Sequence, residues 1–124
     1  MNDVPEVLKE RGTALWKAVM GDLEGDVHDE ALVLETCRTL DVIDALAAAV
    51  ESEGVTVTGS RGQVIVNPAV AEMRQQQTSF ARLLGQLNLD AAEVGAMLSA
   101  RQAAAKRAGQ ARWRAQAGAR NGVA

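Results

Sequence analysis

The sequence predicts a mainly α-helical protein, four helices with a short β-hairpin between the second and the third. Three observations lead there. Apolar residues recur at three- and four-residue steps through two long stretches, as they do on amphipathic helices. Between those stretches the period falls to two, over Val55–Thr58 and Gln63–Val66, around the turn residues Gly59-Ser60-Arg61-Gly62. The composition supplies the third, with one Phe, two Trp, no Tyr and abundant alanine and leucine, which favours helices around an aliphatic core. At 124 residues the chain reads as one globular domain, able to bury roughly two-thirds of the surface its unfolded form exposes.

Helix one is expected to begin near Pro5 and to run to about Met20, because proline at the first helical position gives up an N–H that has no partner anyway. Gly12 weakens its interior by about 1 kcal/mol relative to alanine, and Leu15, Trp16 and Val19 form its apolar part. Gly21–Gly25 follow as a loop. Helix two is capped by Asp26, with Asp29 and Glu30 at the positive end of its dipole and Gly54 at its C-terminus. Its seam is Val33, Thr36, Leu40, Ile43, Ala47 and Val50, widened by Leu32, Leu46 and Ala49. A lone hairpin is marginal in water, so residues 54–66 need helices or a neighbouring copy to pack on. Helix three starts at Asn67-Pro68, an N-cap followed by proline, and carries Val70, Met73, Gln77, Phe80, Leu84 and Leu87 at heptad spacing. Asp90 and Glu93 form a capping box for helix four, which holds Val94, Met97 and Leu98 and is then expected to lose its helix among alanine, glutamine, glycine and arginine.

Charge divides the chain more sharply than hydropathy does. Residues 1–53 carry thirteen acidic against four basic side chains, residues 54–97 three of each, and residues 98–124 six basic and none acidic. The formal net charge of −3 therefore hides a basic arm on an acidic body. The expected organisation is a helical oligomerisation core over 1–97 and a basic, flexible C-terminal arm over 98–124. Clustered cations displace the counterions condensed on nucleic acid, so Arg101, Lys106, Arg107, Arg112, Arg114 and Arg120 are the candidate DNA contacts. Trp113 joins them, since an aromatic between two guanidinium groups suits phosphate contact with stacking. On a helical wheel these cations spread around the circumference, which disfavours a membrane-surface helix.

Other chemistry is scarce. His28 is the sole histidine and sits at a helix start, so any catalytic triad would depend on it. Cys37 reads as a small buried apolar residue, and a single cysteine forms no internal disulfide and fits a reducing cytosol. No Cys/His spacing suits zinc. Asp41 and Asp44 share a helix face, where a solvated acidic surface outweighs a divalent-ion site. The Gly59–Gly62 segment lacks the Lys-Ser/Thr ending of a P-loop and lies between strands, so it is a turn, with Arg61 at its tip. No apolar run approaches the ~20 residues that span a membrane, and the acidic N-terminus is unlike a signal peptide. The expectation is a soluble, intracellular protein without catalytic residues, metal or cofactor.

The order of the motifs adds to this. Gly12-Thr13-Ala14-Leu15-Trp16 precedes an acidic helix with Cys37-Arg38-Thr39-Leu40-Asp41, then Gly54 and the hairpin. Asn67-Pro68-Ala69, the run Arg74–Gln77, and Leu83-Leu84-Gly85-Gln86-Leu87 follow. Over roughly residues 8–89 this series resembles the small subunit of tailed-phage terminases. The resemblance implies a non-enzymatic subunit in the infected cell's cytoplasm that assembles into a ring, recognises double-stranded DNA of the viral genome and delivers it to the large subunit, which holds the ATPase and nuclease. It departs after Leu89, where Asp90-Ala91-Ala92-Glu93 stands instead of a Thr-Pro and arginine-containing segment, and no N-terminal helix-turn-helix is evident. Two heptad seams in one small chain are compatible with self-association, or with packing on each other within the chain. The alternatives are a small helical DNA-binding regulator acting as a dimer, and an assembly adaptor whose arm binds an acidic protein.

Overall fold

The computed structural model describes residues 3–22 and 29–121. Four helices and one hairpin follow in the expected order: α1 (Glu10–Lys17), α2 (Glu30–Glu53), β1 (Thr56–Thr58), β2 (Val64–Val66), α3 (Pro68–Gln86) and α4 (Ala91–Asn121). The chain divides into two compact units, residues 1–91 and 92–124.

In the first unit α1 and α3 both pack on α2. The core gathers where these helices supply Leu15, Trp16, Val33, Cys37, Leu40 and Leu84, all nearly inaccessible to solvent. Only part of each heptad seam is used. In α2, Val33, Thr36, Leu40 and Ile43 are buried, whereas Ala47 is exposed and Val50 half-buried. In α3 only Leu84 is buried, Gln77 is exposed, and Val70, Met73, Phe80 and Leu87 are half-buried. The part of the α2–α3 pair nearer the hairpin thus leaves apolar surface open to solvent.

Two helix starts differ from the sequence expectation. The chain makes a turn closed by the Leu8 N–H on the Pro5 carbonyl at 3.2 Å, and α1 begins only at Glu10. Its cap comes from another helix. The Asp41 carboxylate accepts from the backbone N–H groups of Lys9 and Gly12, each at 2.7 Å, which satisfies donors that a helix start leaves open. Beyond Lys17 the helix widens into a π-helical turn, Ala18–Asp22. In α2 the N-cap is Asp29, which accepts from the Leu32 N–H at 3.1 Å. Asp26, the expected cap, and His28 lie outside the described residues.

The hairpin forms where the sequence predicts it, but Gln63 joins the connection rather than the second strand, so the pairing is Thr56 with Val66, Val57 with Ile65 and Thr58 with Val64. Gly54 ends α2 at φ 97°, a backbone region that suits glycine. Buried Asn67 then ties the junction together. Its Oδ1 accepts from the Ala69 N–H at 3.0 Å as the cap of α3, and its Nδ2 donates to the Gly54 carbonyl at 3.0 Å. At the far end of α3, Asn88 adopts φ 56°, with the Leu89 N–H on the Leu84 carbonyl and the Asn88 N–H on the Gly85 carbonyl. That is the Schellman arrangement that stops a helix.

The largest correction concerns α4. It does not lose its helix after Leu98 but continues unbroken to Asn121, through Gly109 and Gly118. The physical reason lies in what this stretch lacks as much as in what it holds. Between Leu98 and Asn121 there is no proline and no β-branched residue, and alanine, arginine, lysine and glutamine are strong helix formers. Their summed preference offsets a cost of about 1 kcal/mol per glycine.

Candidate nucleic-acid interface

The six cations named from the sequence are all carried by α4. A regular helix advances ~100° per residue, so their positions follow directly. Arg101 and Arg112 share one side, Arg107 and Arg114 a second, and Lys106 lies with Trp113 on a third. Lys106, Arg107, Arg112 and Arg114 are exposed, and Arg101 is half-buried. The last acid before them is Glu93, in the first turn, where it complements the positive end of the helix dipole. Beyond Glu93 the helix carries cations on several sides and no acidic side chain in its sequence.

Trp113 is the most distinctive group on this rod, 71% exposed. Helical side chains lean back toward the N-terminus, over the residues three and four positions earlier. Those residues are Gln110 and Gly109, and a Cβ placed on Gly109 would meet no atom within 4 Å. Lys106, Gly109, Gln110, Trp113 and Arg114 together line an open concavity of about 550 Å³. The sequence reading found Trp113 and its flanking arginines but missed Gly109 and Gln110. Their spacing of three and four residues before the tryptophan was the available signal, and it was obscured by treating the glycines only as helix breakers.

The other singled-out residues take structural places. Asp41 and Asp44 are neither a metal pair nor a free acidic face. Asp41 caps α1, and Asp44 binds the Arg11 guanidinium through two hydrogen bonds, of 2.8 and 2.9 Å. Gly12, expected only to weaken α1, supplies clearance, because a Cβ there would collide with the Asp41 carboxylate. Cys37 is buried as expected, and its thiol is pushed up to about 12, first by desolvation and then by the nearby Asp41 charge. Such a thiol is a poor nucleophile at neutral pH. The Gly59–Gly62 segment is a closed turn, with the Gly59 N–H on the Gln63 carbonyl and the Arg61 N–H on the Gln63 Oε1. Among the described residues no three His, Cys, Asp or Glu side chains converge on a metal position, and no helix is long and apolar enough to cross a membrane.

Comparison with known protein families gives a match. The family model described as phage terminase, small subunit, matches residues 12–105. No curated protein and no solved structure matches the chain significantly. The matched span runs from Gly12, beside its Asp41 cap, through the hairpin and α3 into the first half of α4, beyond the point at which the sequence resemblance was expected to stop. Most of the chain is covered, and the chain belongs to the phage terminase small-subunit family.

Proposed function

We propose that this chain is a DNA-recognising, ring-forming packaging subunit that grips double-stranded viral DNA through α4 and regulates the large-subunit motor. Phage genome packaging is the process its family serves. The observation that carries the reading is α4 itself, a helix with six cations and no acid beyond Glu93. Arg101, Lys106, Arg107, Arg112, Arg114 and Arg120 contact phosphates, and Trp113 adds a contact to sugar or base. No catalytic residue is assigned. The subunit works by position, and the reaction belongs to its partner in the infected cell's cytoplasm.

Self-association is supported by the surface that the first unit leaves uncovered. Val55, Val64 and Val66 of the hairpin segment are 60%, 75% and 61% exposed. In sequence Val64 and Val66 shortly precede the half-buried α3 residues Val70 and Met73. Exposed valines on a two-stranded hairpin are the kind of surface that a second copy covers. A ring also brings six further cations to one duplex with every subunit, an avidity gain that needs no new contact.

The particle mass in solution tests this. Light scattering is expected to show one closed assembly of many copies, and a heavier particle on addition of duplex DNA. A dimer at all concentrations that still binds DNA would favour the alternative, a small dimeric regulator using the same helix. A monomer that ignores DNA would remove both.

A further inference from the structure

We propose that the Trp113 face of α4 is a stacking platform for unpaired nucleobases, so that the protein prefers single-stranded or frayed DNA over intact duplex at this position. The proposal rests on α4 being the DNA-binding element and names the form of DNA that this face takes. Trp113 is 71% exposed on a face with no other aromatic and with open space over Gly109, one turn earlier. A planar group can therefore lie against the indole without displacing a side chain. Gln110, on the same concavity, offers both a donor and an acceptor to a base edge. Arg114 follows directly, and Lys106 stands two turns before, about 10 Å along the axis. Cations at both ends of the platform suit phosphates entering and leaving it.

The geometry favours an unpaired base over the alternatives. In a duplex every base face is covered by its neighbours, so an indole reaches one only by unstacking a step, at a cost of a few kcal/mol. A single strand presents base faces freely, and stacking on an aromatic side chain tolerates any sequence. An acidic peptide would satisfy the cations but brings no planar face to cover the indole.

The test uses the full chain, a fluorescein-labelled 20-nucleotide oligothymidylate and a matched 20-base-pair duplex. Trp113→Ala is expected to weaken oligothymidylate binding about tenfold and duplex binding, where the indole reaches no open base face, by a clearly smaller factor. Trp113→Phe restores most of the loss. Indole emission gives a second readout, since exposed Trp113 is quenched by the single strand while buried Trp16 is not. Equal losses on both DNAs would make Trp113 a contact indifferent to base pairing and overturn the platform. So would unchanged binding of W113A, or a poly-glutamate peptide that depends on Trp113 as strongly as the oligonucleotide does. If replacing all the α4 cations by glutamine left both DNAs bound as before, the assignment of α4 to DNA would itself be wrong.

Discussion

The junction between α1 and α2 and the length of α4 treat charge in opposite ways. At the junction each charge has one partner and one geometry: Asp41 on two backbone N–H groups of α1, Asp44 on the guanidinium of Arg11. Moving the Asp41 carboxylate would release the start of α1, whereas Asp44 holds only the Arg11 side chain. Along α4 the cations stand on several sides of an exposed rod, and their sum matters more than their individual places. The comparison shows that a front half with an excess of nine acids is not a uniform repulsive field, since two of those acids are structural. It also shows that a helix can form from propensity and still leave its side chains available to a partner.

The contrast can be broken first at the core beside the junction. Leu15→Ala, at a position with no accessible surface, is expected to cost about 3–4 kcal/mol in urea unfolding, as buried leucines do. Gly12→Ala comes next. Alanine is the better helix former, yet here its Cβ would displace the Asp41 carboxylate, so a loss of about 2–3 kcal/mol is expected from the cap and the crowding. Adding Asp41→Ala to that variant should cost little more, because both changes break one contact. A gain in stability from Gly12→Ala would contradict the capping geometry.

Cys37 sharpens the same side through pH. Below pH 9.0 both folded and unfolded chains keep the thiol protonated, and stability is unaffected by it. Between 9.0 and about 12 the unfolded chain sheds the proton and the folded chain does not. The folded state then loses stability as pH rises, by about 1.4 kcal/mol per unit. The slope is read as the difference between the native chain and Cys37→Ala, which should lack it.

On α4 the expected effects on stability are small, and one has the opposite sign. Gly118→Ala places a methyl in open space and should stabilise the helix by about 0.5–1 kcal/mol, where the same exchange at Gly12 destabilises. Replacing the exposed cations by glutamine should leave unfolding within about 0.5 kcal/mol.

Much of the fold was legible because its signals are local. The presence of the hairpin follows from the change of period and the turn residues, though not its register, and the start of α3 follows from Asn67-Pro68. The start of α1 was not legible, because its cap lies about thirty residues away on α2 and no window of sequence contains both partners. Asp29 was passed over for Asp26 because two aspartates three residues apart offer the same capping chemistry. The length of α4 was misjudged by weighing three glycines above an otherwise unbroken run of helix formers. The candidate interface was legible as composition, since six cations without an acid need no structure to be noticed. Its concavity was not, because it depends on the helix persisting through Gly109.

The most direct test of the account is the salt dependence of duplex DNA binding by the full chain, set against the variant in which the six α4 cations are glutamine. The account predicts a steep fall of log affinity with log salt, with a slope approaching about −5 per engaged subunit if all six cations are used. In the variant the slope should collapse and the affinity should fall by orders of magnitude. An unchanged slope and affinity in the variant would contradict the assignment of DNA binding to α4.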